Sequence, residues 1–256
     1  ATSNQPTILK ETEHWVALNK PPSVVVHDVP GEKHAGTTLV DWLRAHIPAI
    51  QQHFASNDAR PGIVHRLDAD TSGVILVAKD PETLQALQDQ FRSRTTGKTY
   101  HALVLGNVSH AGELVGNIVR TGTDTEHTVK RLSFSWDKHE AKPAETDYQP
   151  IGHYVDADER HYTLLALQPK TGRTHQLRVQ LLDAGWPIIG DPMYSTKDSR
   201  AASDLLSLHR QFLHAVTLEF DDPSTEERII VQSPFANDLE SILDKLTTVS
   251  RKEHRG

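Results

Sequence analysis

Short apolar segments separated by turn-forming residues predict that this chain contains more strands than helices. Residues 14–19 form a predicted strand that ends at the Lys-Pro-Pro segment of residues 20–22. Residues 74–78 form a continuous apolar run, which is typical of a strand buried on both faces. Further strands are predicted at residues 99–105, 162–167, 212–220 and 228–232. Asp222 and Pro223 provide a turn between the last two, which predicts a hairpin.

Other segments carry apolar residues at helical spacing. Asp80 and Pro81 supply an N-cap and a first-turn proline to one predicted helix. Thr174 and Gly185 are the predicted cap and stop of a shorter one. The predicted helices cover residues 38–47, residues 81–91, residues 175–184 and residues 237–246.

Strands that outnumber helices, with a hairpin among them, favour one fold class. We predict an α+β fold with a mixed, largely antiparallel β-sheet core and flanking helices, rather than a doubly wound α/β fold. Nucleotide-cofactor folds lose their main support, because neither a G-x-G-x-x-G nor a Walker A segment occurs.

Composition narrows the protein classes further. The 256 residues include no Cys, which removes disulfides, thiolate nucleophiles and Cys-based metal sites and fits a reducing, cytoplasmic compartment. Because no apolar run approaches the roughly 18 residues that a membrane helix needs, we expect a soluble protein with no membrane partner. The polar N-terminus does not resemble a signal peptide.

Charge is unevenly distributed along the chain. There are 27 basic and 34 acidic residues, for a net charge of -7, which argues against binding nucleic acid through overall charge. Residues 91–101 and 169–182 nevertheless each contain three basic residues and no acid. These stretches are either ordinary solvated faces or parts of a site.

A first candidate site precedes the buried strand at residue 74. Residues 61–73 read P-G-I-V-H-R-L-D-A-D-T-S-G and place His65, Arg66, Asp68 and Asp70 within six positions. Loops beside a rigid strand often carry catalytic groups. The structural alternative is a turn held by Asx-type hydrogen bonds, with Arg66 paired to Asp70.

Two further candidates lie in the basic stretches. Tyr100 follows a basic, Gly-containing turn and could stack on a base, or could be a half-buried strand tyrosine. Arg178 lies one helical turn after Thr174 and could keep a nearby carboxylate ionised. The start of that helix suits an anion such as phosphate, or is simply a capped helix with solvated charges. The polar residues crowded there are Arg173, His175 and Gln176.

Other chemistries have weaker support. The 16 His residues include no H-E-x-x-H or comparable metal-ligand spacing. The G-x-S-x-G segment of many Ser-His-Asp hydrolases is absent. Asp68 and Asp70 could form a carboxylate pair for glycoside hydrolysis, but neighbours in a turn rarely face each other across a sugar.

Taken together, these segments resemble the signature motifs of the RluA-type pseudouridine synthases. H-R-L-D-x-x-T-S-G at residues 65–73, followed by an apolar run, resembles the central signature. The other matching segments, in the family's order, are Asn19-Lys20-Pro21 with His27, Lys98-x-Tyr100-x-Ala102, T-G-R-T-H-Q-L-R-V at residues 171–179, Gly190-Asp191-Pro192-Met193-Tyr194, and Leu213-His214-Ala215. Gln180 and Trp186 depart from the pattern, since many relatives carry His there; we interpret both as affecting RNA contacts or packing.

The resemblance implies a pseudouridine synthase fold with a central cleft and a reaction without a cofactor. Such enzymes convert uridine in RNA to its C5-glycoside isomer. By this resemblance Asp68 is the essential carboxylate, acting either as nucleophile or as base. Tyr100 is expected to stack on the uracil and Arg178 to pair with Asp68. Arg66 is expected to fill the gap left by the flipped nucleotide, whose extrusion requires a few kcal/mol.

The same resemblance defines the expected partners. We expect rRNA or tRNA as substrate, no cofactor, no metal, and a monomer. His65, Arg173, His175 and Gln176 are the expected substrate-binding residues. We expect residues 1–256 to form a single catalytic domain without a separate N-terminal RNA-binding domain, with a frayed tail at 250–256. Residues 122–150 are a polar stretch that could contact RNA.

Two rival interpretations remain at this point. The first is a non-catalytic RNA-binding or RNA-folding protein on the same scaffold. The second is a metal-dependent hydrolase that uses His65 and Asp68. Substitution of Asp68 by Asn tests the first interpretation, because a non-catalytic binding protein should lose little function. Insensitivity of the activity to EDTA would exclude the second.

Overall fold

The computed structural model describes residues 4–28, 36–121, 131–135 and 142–249. Eleven strands and six helices lie within these residues. The strands are β1 Thr7–Glu11, β2 Trp15–Lys20, β3 Ser72–Ala78, β4 Gly97–Leu105, β5 Gly112–Thr121, β6 Arg131–Ser135, β7 Lys142–Val155, β8 His161–Pro169, β9 Leu213–Asp221, β10 Arg228–Gln232 and β11 Thr247–Thr248. The helices are α1 Leu39–His46, α2 Pro48–His53, α3 Pro81–Ser93, α4 Gln176–Asp183, α5 Lys197–Leu206 and α6 Asn237–Asp244.

The described residues divide into two compact units. Those within 1–98 and 214–236 form the first unit, and those within 99–213 and from 237 onward form the second. In each unit a largely antiparallel sheet is combined with helices, which confirms the α+β prediction. The central cleft stays a prediction.

The sheet of the first unit has the order β1-β2-β3-β9-β10. Every neighbouring pair is antiparallel except β3 and β9, which pair in parallel only through Ser72 with His214 and Gly73 with Ala215. All seven residues of β3 are buried, as its apolar run predicts. This strand therefore forms the rigid centre of the first unit.

The core of the first unit lies against β3. Leu76 packs in one cluster with Leu87 of α3 and with the rings of Trp15 and Phe220. Those two rings meet edge to face, with centroids 5.0 Å apart. The indole N–H of Trp15 donates to Asp222 at 2.8 Å, so the buried polar atom is satisfied.

The sheet of the second unit has the order β4-β8-β7-β5-β6, and all of these pairs are antiparallel. The 14-residue strand β7 also pairs with the short β11 near its end. Residues 122–130 and 136–141 of the predicted polar stretch, and the predicted frayed tail, lie outside the described residues. Among the described residues, no helix has the length and apolar character needed to cross a bilayer.

Most predicted boundaries are close to those observed, but the cap of α4 is wrong. His175, not Thr174, occupies the N-cap, in a left-handed conformation with φ 55° and without a side-chain cap hydrogen bond. The turn is instead closed by Gln176, whose Oε1 accepts from the Thr171 hydroxyl at 2.8 Å and from the Arg173 N–H at 3.1 Å. Gly185, with φ 82°, follows the end of the helix as predicted.

Candidate active site

The turn that carries Asp68 is fastened to β2 by a buried lysine. The backbone N–H of Thr71 donates to the Asp68 carbonyl at 3.1 Å, which closes a turn over residues 68–71. Lys20 is fully buried, and its Nζ donates to the carbonyls of Ala69 at 2.7 Å, Pro21 at 2.9 Å and Val24 at 2.9 Å. A buried ammonium with three acceptors fixes this turn relative to β2.

The two charged neighbours of Asp68 in the signature, Arg66 and Asp70, differ in exposure. The hydroxyl of Ser23 donates to Asp70 Oδ1 at 3.1 Å on the exposed side of the turn. Arg66 is exposed, whereas Asp68 is half-buried. These exposures suit the roles expected of Arg66 and Asp68, which stay predictions.

His65 supports the backbone of β3. Its Nε2 accepts from the Leu76 backbone N–H at 3.0 Å, and its ring stacks on Phe91 with centroids 4.7 Å apart. Burial, followed by the positive charge of Lys98, lowers the pKa of His65 from 6.5 to about 3. The ring is therefore neutral at physiological pH, with the proton on Nδ1, as acceptance at Nε2 requires. Binding of substrate by His65 stays a prediction.

The start of β3 is held by a close approach to β9. The Ser72 hydroxyl and His214 Nδ1 lie 2.8 Å apart, and both residues are buried. Gly73 has φ 115°, and a Cβ there would lie 2.2 Å from the Ala215 carbonyl oxygen. Only glycine fits this crossing. The Ser-Gly end of the signature is thus explained by strand packing directly after the Asp68 turn.

Tyr100 lies in β4, opposite Leu167 of β8, and is half-buried. This position agrees with the strand tyrosine considered above, and stacking on a base stays a prediction. Lys98, on the same strand, lies over the ring of Phe91 with Nζ 5.8 Å from the centroid. Burial, and then the charge of Arg94, lowers the pKa of Lys98.

Helix α4 is buried from Gln176 to Leu181, so its polar side chains require partners within the protein. Besides its two acceptor bonds, Gln176 donates from Nε2 to the Glu145 carbonyl at 3.1 Å and to the Thr146 hydroxyl at 3.0 Å. Gln180 accepts from Thr146 at 2.7 Å. These amides pack α4 onto β7. A contact between Gln176 and RNA stays a prediction and would require one of these bonds to break.

Arg178 forms a buried, two-pronged ion pair with Asp191. Nε donates to Asp191 Oδ2 at 2.6 Å and Nη2 donates to Oδ1 at 2.9 Å. The guanidinium carbon lies 4.9 Å from the ring centroid of Tyr194, whose hydroxyl is 3.0 Å from His175 Nδ1. Asp68 belongs to the first unit, while Tyr100 and Arg178 belong to the second, and the expected meeting of the three stays a prediction.

Some cations of the basic stretches are paired with acids, which come from distant segments or from the same helix. Lys170 binds Glu113 at 2.7 Å and Asp147 at 2.9 Å, and Arg92 pairs with Asp89. Arg173 donates from Nε to the Pro143 carbonyl at 3.1 Å. Counting charges along the sequence therefore overestimates the positive charge of the stretch at residues 169–182.

Two residues of the site were not singled out individually by the sequence. The only sequence signals for Lys20 and Asp191 were the Lys-Pro and Gly-Asp-Pro motifs in which they stand. Lys20 binds Ala69, which lies 49 residues away along the chain, and Asp191 binds Arg178, which lies 13 residues away. Sequence spacing alone does not reveal either contact. Among the described residues there is no group of three or more His, Asp or Glu side chains arranged to hold a metal ion.

The chain is similar to proteins of one enzyme family. A family model described as RNA pseudouridylate synthase matches residues 14–183. Ribosomal large subunit pseudouridine synthase D of Borreliella burgdorferi is 40% identical over 208 residues, which cover 81% of this chain and 60% of that protein. An uncharacterized RNA pseudouridine synthase of Chloroflexus aurantiacus is 38% identical over 228 residues, which cover 89% of this chain and 65% of that protein.

The fold is also similar to that of a solved protein. The structure of human RNA pseudouridylate synthase domain containing 1 matches with a TM-score of 0.73 and 25% identity, covering 98% of this chain and 91% of that chain. The chain spans 60% and 65% of the lengths of the two sequence relatives above.

Proposed function

Because this chain belongs to the RNA pseudouridylate synthase family, we propose that it isomerises uridines in RNA to pseudouridine. The observation that carries the proposal is the Asp68 turn, which buried Lys20 fastens ahead of the fully buried strand β3. A catalytic carboxylate needs a fixed position, and the anchored backbone of this turn supports that role for Asp68.

The reaction requires no net oxidation or reduction. The bond between uracil N1 and ribose C1′ breaks, the base rotates, and a bond between C5 and C1′ forms. The hydrogen on C5 leaves as a proton, and N1 gains one. In this proposal Asp68 acts at the ribose as nucleophile or base, and Arg178 keeps its carboxylate ionised.

The remaining roles concern the flipped nucleotide. A base within a stacked helix is out of reach of Asp68, so the target nucleotide must leave the stack at a cost of a few kcal/mol. Exposed Arg66 replaces the base in the stack, where its planar guanidinium offsets part of this cost. Tyr100 stacks on the uracil in the site.

We propose large-subunit rRNA as the first substrate to test and tRNA as the second. The Borreliella relative is named for the large ribosomal subunit, which supports this order. Phosphate contacts by Arg94, Lys98 and Arg173 would position the RNA without reading its sequence.

The test is release of tritium from RNA labelled at C5 of uridine. The wild-type protein is expected to release tritium from one of the two RNA classes in the presence of EDTA. Asp68→Asn should lower the rate by about 10³-fold or more while RNA binding persists, because the reacting carboxylate is lost. Asp70→Asn, in the same turn, is the matched control and should lose far less.

Other outcomes would point to the rival functions. Tight binding of both RNAs without release of tritium would favour a non-catalytic RNA-binding protein. Loss of release on addition of EDTA, with recovery on adding back a divalent ion, would favour a metal-dependent reaction. Equal losses in Asp68→Asn and Asp70→Asn would remove Asp68 from its proposed role.

A further inference from the structure

Asp191 and Tyr194 surround the guanidinium of Arg178 in the interior of the second unit. The side chain of Asp191 is fully buried, and that of Arg178 is 5% exposed. The carboxylate of Asp191 also accepts the backbone N–H groups of Met193 and Tyr194 at 2.9 Å each. The turn therefore holds the Asp191 carboxylate independently of its contact with Arg178.

This arrangement restricts the guanidinium within its plane and towards Tyr194. Nε and Nη2 are both bound by Asp191, so rotation of the planar group about its last bonds is blocked and the direction of Nη1 is set. The ring of Tyr194 limits movement out of the plane, and the hydroxyl of that ring is in turn bound to His175. A buried arginine requires such a partner, because an unpaired charge is strongly destabilising.

We propose that Asp191 is a positioning residue, which orients Arg178 so that the guanidinium meets the carboxylate of Asp68. The inference rests on the proposed function. A misplacement of about 1 Å at a reacting group lowers rates by about 10²-fold. Arginine has many side-chain rotamers, and the two hydrogen bonds to the Asp191 carboxylate select one of them. The Gly-Asp-Pro-Met-Tyr segment, which the sequence shows only as a turn, thereby acquires a function.

The variant Asp191→Asn tests this role. Asparagine can still accept from the two backbone N–H groups and from Nη2 through Oδ1, but its NH₂ group replaces Oδ2 and opposes the Nε–H donor of Arg178. We expect the single-turnover rate of tritium release to fall by about 10²-fold while the Kd for RNA changes less than about threefold. If Asp191 acts through Arg178, the same substitution in an Arg178→Lys background should lower the rate further by less than about threefold.

Asp238→Asn is the matched control. Asp238 binds Arg210 through the same two nitrogens, with Nε to Oδ2 at 2.6 Å and Nη2 to Oδ1 at 2.8 Å. This second pair also lies in the second unit and has a buried arginine. Both variants should lower the Tm, but only Asp191→Asn should slow the reaction.

A spectroscopic measurement separates failure of this inference from failure of the proposed function. The Nε–H NMR signal of Arg178, assigned by its loss in Arg178→Lys, should exchange slowly in the wild type and rapidly in Asp191→Asn, while that of Arg210 is unchanged. Slow exchange in both proteins would overturn the positioning role whether or not any RNA is modified. So would an Asp191→Asn rate no lower than that of Asp238→Asn, or a full rate loss in the Arg178→Lys background.

Discussion

At the scale of single residues, His65 couples the fold to pH. Its Nε2 must remain unprotonated to accept from Leu76 in the buried strand. Because its pKa is about 3 in the folded protein and 6.5 for an unperturbed histidine, the unfolded chain binds more protons between these values. The contribution of His65 to the free energy of unfolding is complete above about pH 6.5 and is lost as the pH falls toward 3.

We therefore expect the free energy of unfolding to decrease by about 2 kcal/mol between pH 7.5 and pH 5 on account of His65 alone. His65→Gln keeps an acceptor that does not titrate in this range, so its urea unfolding curves should depend less on pH. The remaining dependence should include His27 and His101, whose pKa values are also lowered, first by burial. An unchanged pH dependence in His65→Gln would contradict this assignment.

Single residues also show how far sequence reasoning extends. Asp68, Tyr100 and Arg178 were identified because they stand in motifs of a known family. Asp191, the partner of Arg178 within the second unit, was not identified in this way. Nothing in the spacing of residues 178 and 191 reveals that a buried turn brings them together. Their geometry arises only when the chain folds.

At the scale of elements, the Asp68 turn depends on Lys20 of β2. Lys20→Met removes the ammonium from three carbonyl oxygens and leaves them without that donor, which should lower stability by about 3 kcal/mol. We expect the tritium-release rate to fall by at least about tenfold below the melting temperature, because the turn is no longer fixed.

Lys79→Met provides the comparison for this prediction. Lys79 is also buried in the first unit, where it binds Glu11 and the Thr12 carbonyl, each at 2.6 Å, rather than the Asp68 turn. Its replacement should lower the Tm but leave the rate within about twofold. Equal rate losses in the two variants, after correction for unfolded protein, would mean that Lys20 acts only on global stability.

Elements with strong local signals were predicted well. The continuous apolar run gave β3, and Asp80 with Pro81 marked the start of α3, where the Asp80 side chain accepts the Thr83 N–H at 2.8 Å. Strands β5 and β7 were missed because their residues are mostly half-buried or exposed and lack a regular apolar pattern. Helix α5 was missed although Thr196 and Ser199 form a capping box at its start.

At the scale of the whole molecule, a net charge of -7 has to be reconciled with the proposed RNA substrate. Cations such as Lys170 already bind acids, whereas Arg173, among the described residues, donates from Nε to the backbone carbonyl of Pro143. Binding should therefore rest on few phosphate contacts and weaken with salt. Arg173→Gln should make the slope of log K against log salt shallower by about 0.7 to 0.9.

Arg228→Gln is the control for this measurement. Arg228 lies near Glu219 and Asp221, at 3.6 Å and 3.2 Å, so we do not assign it to RNA binding. Its replacement should leave the slope of log K against log salt unchanged when filter binding is repeated between about 50 and 200 mM salt. A slope that Arg173→Gln leaves unaltered would remove Arg173 from the RNA interface.

The pairing of β3 with β9 has a consequence for synthesis of the chain. Ser72 and His214 are separated by 142 positions, and β9 and β10 complete the sheet that begins with β1 to β3. Contacts so distant in sequence form slowly, because a long loop must close first. On the ribosome, the segment that carries Asp68 therefore waits for residue 214 to emerge before its supporting strand gains its parallel neighbour, and during that interval β3 offers an unpaired apolar edge to chaperones.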